Sequence, residues 1–118
     1  MKTDELYEEI RSAMGLMNSR DSEMLFLMSL KKVVNDLNRK LKETIVAPTS
    51  ISATDIGFED YCDNTFFPGV KFYMQRDGSF AQDPDAESKA FYDQELRSVI
   101  GPAITANSSF KIRNQADD

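Results

Sequence analysis

Four carboxylates, Asp55, Glu59, Asp60 and Asp63, fall within nine residues, with the chain's single cysteine, Cys62, among them. Such a cluster is the first place to look for a metal ion. Calcium loops place oxygen ligands at alternate positions around a central glycine, and this spacing differs. Asp55, Glu59 and Asp63 stand at i, i+4 and i+8. A helix there would carry them as one acidic face near its N-terminus, where carboxylates oppose the positive end of the helix dipole. A solvated face is the expected role. Cys62 has acidic and aromatic neighbours and no adjacent cation. Acidic neighbours raise a thiol's pKa, so Cys62 is expected to be buried filler rather than a nucleophile.

The chain contains no histidine. The commonest zinc ligand and the commonest general base are therefore both missing, and Ser–His and Cys–His nucleophiles are excluded. No glycine-rich phosphate loop is present, and no base adjoins the serines and threonines in sequence. One cysteine allows no intrachain disulfide. We assign no catalytic residue, no cofactor-binding residue and no metal ligand, and we expect a protein that is not an enzyme.

The net charge is −6 over 118 residues. Residues 1–49 hold eight basic and eight acidic side chains, and residues 50–118 hold six and twelve, so the excess lies in the second half. An acidic balance argues against a dedicated nucleic-acid binder. The length suits one domain with a real core. The longest apolar run, MLFLM at 24–28, is too short to span a bilayer. The opening MKTDELYEEI lacks the basic and apolar regions of a signal peptide, which suggests a cytosolic product.

The elements that would position these residues are helical. Leu6, Ile10, Ala13, Met14 and Met17 recur at helical spacing over 3–17, with Thr3 as N-cap and acidic residues crowding the start. A short turn, with Asp21 or Ser22 as cap, leads into a second helix and makes the two antiparallel neighbours. Phe26, Leu30, Val33, Val34, Leu37, Leu41 and Ile45 form its stripe over 22–45, and Pro48 stops it. Its basic residues, Lys31, Lys32, Arg39, Lys40 and Lys42, read as a solvated face that complements the dipole rather than as phosphate contacts. An extended connection follows to Gly57.

Helical spacing resumes with Tyr61, Cys62, Phe66, Val70, Tyr73 and Met74. Pro68 predicts a kink or break within it, since proline removes a helical hydrogen bond. Gly69 would admit another backbone. Asp83 and Pro84 open a last helix with Ala86, Ala90, Phe91, Leu96, Val99 and Ile100 on its apolar face, closed by Gly101 and Pro102. The fold class expected is mainly α: a small bundle of about four helices over 1–102, a short extended segment, and an extended C-terminal tail over 103–118. Ile104, Phe110 and Ile112 are the tail's apolar anchors. Met24, Leu25, Leu27 and Met28 make the start of the second helix apolar nearly all round, so it is buried by its own domain or by a partner. Methionines there suit core packing or an adaptable partner groove.

The order and texture of SLKKVVNDLNRKLKETIVAPTSISATDIGFEDY, NTFFPGVKFYMQRDGSF and DPDAESKAFYDQELRSVI resemble the small head-to-tail connector (adaptor, or neck) proteins of tailed bacteriophages. The likeness covers residues 22–112, about three quarters of the chain. It implies a structural virion protein made in the host cytoplasm. Such a subunit assembles as a homo-oligomeric ring, usually twelve-fold, between the portal and the tail or stopper proteins. DNA passes through that ring without being specifically bound. Met24, Leu27, Met28, Ile104, Phe110 and Ile112 would then serve the oligomer or partner interface, and Asp55, Glu59, Asp60 and Asp63 would face the channel. The family has no catalytic residues, and the proline before Gly69 departs from its helix pattern. The alternative is a small cytosolic helical binding module or regulator without ring assembly, with its groove around Met24, Leu27 and Met28. A third class is a metal enzyme using the carboxylates of 55–63, whose site would lack imidazole or thiolate support.

Overall fold

The first two helices end where the backbone turns left-handed. α1 runs Thr3–Met14 and stops at Gly15, φ 65°, where the Leu16 N–H reaches back to the Arg11 carbonyl at 3.0 Å. Glycine reaches this conformation without the Cβ clash that other residues meet. The helix is therefore three residues shorter than its hydrophobic spacing predicts, and Met17 lies beyond it, exposed. α2 runs Arg20–Leu41. Its N-cap is Ser19, whose Oγ accepts the Ser22 N–H at 3.1 Å, rather than Asp21 or Ser22.

α2 ends at Lys42, also left-handed, several residues before Pro48 could act. Asn38 explains the early stop. Its side chain donates to the Ile45 carbonyl at 2.9 Å and accepts the Ile45 N–H at 3.1 Å. That pair of bonds competes with helix continuation, as short amide side chains do near helix ends.

The computed structural model describes residues 1–78 and 86–105. Among these, four helices form and no strand does; the extended connection contributes one isolated bridge, Lys2 to Asp55. That connection folds back over the start of α1. The Asp4 N–H donates to the Ser52 carbonyl at 3.0 Å and the Thr3 N–H to Thr54 at 3.4 Å. The free N–H groups of the first turn are thus met by loop carbonyls. Thr3 is not the cap: it is buried within the first turn, and Lys2 holds the cap position.

A 3-10 turn over Asp60–Cys62 leads into α3, Asp63–Asp77. α3 is not broken at Pro68, which lies inside it. The bond that proline cannot make would have gone to the carbonyl of Asn64, an exposed residue four positions earlier. Losing it near the first turns costs less than losing a mid-helix bond between buried groups. α4, Ala86–Ser98, packs on α3. Its backbone turns at Val99 and is helical again over 100–105, so Gly101 and Pro102 do not close it. Proline is tolerated in the opening turn of a helix, where its missing N–H has no partner to lose. The proposed cap Asp83–Pro84 and the tail anchors Phe110 and Ile112 lie outside the described residues.

α3 is the hub, packed by α2 most extensively and then by α4 and α1. α1 and α2 are not the paired neighbours that their short turn suggests; α1 lies chiefly on α3 and meets α2 through the Tyr7–Phe26 ring pair, centroids 5.2 Å apart. The core comprises Leu6 and Ile10, the predicted α2 stripe from Phe26 to Leu37, and Cys62, Phe66, Val70 and Met74. From α4 come Tyr92, Leu96 and Val99, while Ala90, Phe91 and Ile100 face solvent. The buried face of α4 is rotated from the predicted one because Tyr92, not Phe91, meets the bundle.

Gly69 sits where α2, α3 and α4 converge. A Cβ there would lie 2.5 Å from Tyr92 Cε1 and 2.8 Å from Val33 Cγ2, so the close approach is of side chains and not of another backbone. Gly69→Ala tests which effect dominates. Helix propensity alone would favour alanine by about 1 kcal/mol, whereas overpacking costs about 1–3 kcal/mol. We expect net destabilisation in urea unfolding; a variant more stable than wild type would show that Tyr92 and Val33 yield freely.

Candidate functional site

The carboxylate cluster does not form one helical face. Residues 55–59 lie in the connection, and helical geometry begins only at Asp60. Asp55 and Asp63 turn toward the Met1 ammonium, at 3.2 and 3.4 Å. The Gly57 N–H and then that ammonium hold the Asp55 carboxyl below the usual range. Glu59 and Asp60 point into solvent between buried Phe58 and Cys62. Among the described residues, no group of three or more acidic or thiol side chains is placed to share a metal ion. Cys62 is fully buried, and burial, followed by Asp63 and Glu59, pushes its thiol up to about 11. It is core filler.

The most organised polar group in the bundle was not among the residues singled out from the sequence. Asp36, on α2, has a side chain only 12% exposed. One of its oxygens, Oδ2, accepts hydrogen bonds from Tyr73 of α3 and from Tyr92 of α4, the latter at 2.7 Å. Its other oxygen pairs with Arg39 one turn on. Burial, then the hydrogen bond to Asp36, pushes the Tyr73 hydroxyl up to about 12, and the same causes raise Tyr92. The rings pack together: Tyr73 and Tyr92 edge to face at 5.8 Å, Phe72 and Tyr92 stacked at 6.1 Å. Arg76 lies over the Tyr73 ring, 4.7 Å from its centroid. The sequence signal was faint: a single acid on the flank of the α2 stripe, Tyr73 read as packing, and Tyr92 off the predicted apolar face of α4.

Above this node a groove of about 470 Å³ opens between α2, α3 and α4, with Arg39, Lys40, Arg76 and Lys89 on its walls and Asp36 and Asp93 as its only acids. Its walls offer cations to an anionic group, and the two hydroxyls in it are held neutral and already donate to Asp36.

Two apolar surfaces lie elsewhere. Met24 and Met28 are 51% and 59% exposed, with half-buried Leu27 between them at the same face of α2. One face of the apolar start of α2 is therefore uncovered by its own bundle, while Phe26 on the other is core. Ile104, 53% exposed, stands with Ile100 beside Leu41 and Tyr61, lining a cleft of about 320 Å³ near the other end of α2. Of the predicted interface residues that are described, Met24, Leu27 and Met28 lie on one surface and Ile104 on another, about 25 Å apart along α2 at 1.5 Å per residue. No helix among the described residues is long and apolar enough to cross a membrane. Comparison of the chain with protein families, curated proteins and solved structures returns no match.

Two measurements follow from the node and the thiol. A tyrosine whose folded pKa exceeds its unfolded value of about 10 stabilises the fold fully below that pH and loses the contribution as pH rises toward the folded value. Wild-type stability in urea should therefore fall between pH of about 10 and 12, and Tyr73→Phe should flatten that fall; an unchanged slope would mean that Tyr73 is not coupled to Asp36. Cys62 should react with iodoacetamide about two orders of magnitude more slowly than a free cysteine at neutral pH, and normally once the chain is unfolded. Rapid labelling of the folded protein would contradict its burial.

Proposed function

We propose that the chain is an assembly subunit that closes a homo-oligomeric ring, acting as a head-to-tail adaptor between portal and tail in a tailed-phage virion. The observation that carries this reading is the pair of unlike apolar surfaces near the two ends of α2, Met24–Leu27–Met28 and Ile100–Ile104. A head-to-tail interface needs two different surfaces on each copy, and closure of such contacts makes a ring. Exposed apolar groups at helical spacing on two sides are costly for a monomer and useful to an oligomer. The exposed carboxylates of Glu59 and Asp60 would face either the channel, where like charge keeps DNA from adhering, or a neighbouring copy.

A second reading rests on the methionines alone. Met24 and Met28 are flexible and polarisable, which suits a groove that adapts to a helical partner. That protein would be a small binding module of fixed low stoichiometry.

Light scattering over a concentration series separates the two. The ring reading expects one discrete high-order species, and expects both Met24→Glu/Met28→Glu and Ile100→Glu/Ile104→Glu to abolish it while leaving the helical circular dichroism intact. A monomer or dimer at every concentration, with partner capture lost only in the methionine variant, would establish the binding module instead.

A further inference from the structure

We infer that the basic groove between α2, α3 and α4 receives the acidic turn at Glu59–Asp60 of a second copy, setting the register of the assembly. The inference rests on the ring reading above and names the polar part of its interface. Within a chain of net charge −6, four cations from three helices converge on one groove. Arg39 is engaged by Asp36, and Arg76 by Asp77 and the Tyr73 ring. No ion pair forms for Lys40 or Lys89 among the described residues, and both are exposed on opposite walls. Asp93 on the α4 wall offsets one of these two lysine charges, so the groove is left with a single net positive charge over an aromatic floor.

The complementary feature is elsewhere on the same chain. Glu59 and Asp60 are adjacent and exposed, and neither makes an ion pair among the described residues. Phe58 and Cys62 are buried on either side of them, and Asp55 and Asp63 are tied to the Met1 ammonium. The turn is thus held as a stiff acidic knuckle, and a preorganised segment loses little entropy on docking. On α1, Glu8 is already paired with Arg11 and Asp4 and Glu5 complement their own helix dipole, which leaves Glu9 as a lone exposed acid rather than an adjacent pair.

The knuckle lies on the order of 20 Å along α3 from the groove's Tyr73–Arg76 wall, while Lys40 at the near rim also lines the cleft that holds Tyr61. One subunit does not satisfy its own groove, and the contact joins two copies head to tail. Nucleic acid fits the groove less well, given the acidic chain around it and the absence of a longer basic track. Charge pairs of this kind set partner choice and register more than affinity, which the apolar surfaces supply.

The test is sedimentation velocity of the full chain at about 50 mM and about 500 mM NaCl. Four proteins are compared: wild type, Lys40→Glu/Lys89→Glu, Glu59→Lys/Asp60→Lys, and the chain carrying all four substitutions. Each double variant should need at least about tenfold more protein to assemble, with the deficit shrinking at high salt. The fourfold variant should recover assembly, because its acidic groove now meets a basic knuckle, and that recovery also shows that the substitutions leave the fold intact. Wild-type assembly with unaffected double variants overturns this contact and leaves the ring reading standing. A wild type that never assembles overturns both. Binding of a short single-stranded DNA, lost in Lys40→Glu/Lys89→Glu without effect on assembly, would reassign the groove to nucleic acid.

Discussion

Two tyrosine hydroxyls from different helices share a single carboxylate oxygen of Asp36, and this arrangement ties α2, α3 and α4 at one point. Largely withdrawn from water, that carboxylate is met by two phenols and one guanidinium in place of hydration. Each partner is oriented by the others, so small displacements of any helix would leave a polar group unmet, which is costly in a partly dry site. Hydrophobic burial holds the bundle together, but it is tolerant of sliding. The node is directional, and it sets where α4 sits on α3 and which of its faces turns inward.

The same constraint shapes the packing beneath it. Tyr92 reaches Asp36 only by crossing over Gly69, where any side chain would collide with its ring. Pro68 and Gly69 therefore belong to one local solution. Proline is borne early in α3, near an exposed carbonyl, and glycine opens the space through which α4 comes close. What looks like an interruption of the most aromatic stretch is the seat of its tightest helix contact.

The surfaces that remain have a shared origin. Once α3 has gathered α1, α2 and α4, one bundle of this size cannot also cover both ends of the long α2 helix. Met24 and Met28 are left uncovered at one end, and Ile100 and Ile104 stand open at the other. Basic side chains that would be scattered on isolated helices converge where three helices meet, and the node's own demand for hydrogen bonds consumes only Arg39 among them.

Local pattern alone determined the four helices and most of the core. The α2 stripe from Phe26 to Leu37 is buried as its 3.6-residue period requires and Cys62 is core, whereas whether Met24 and Met28 join the core or stay exposed was left open by the pattern. The stripe and the cysteine were legible because neighbours in sequence suffice to specify them. Tertiary structure decided the rest. Asn38 ended α2 early by bonding to Ile45, and the connection carrying Asp55 was drawn off to cap α1, which dissolved the predicted acidic helical face. The direction of α4 was set by Tyr92 finding Asp36, fifty-six residues away in the chain. No period within α4 carries that information, since a phenol and a phenyl ring look alike to hydrophobic spacing and differ only when a distant carboxylate is there to accept the hydroxyl.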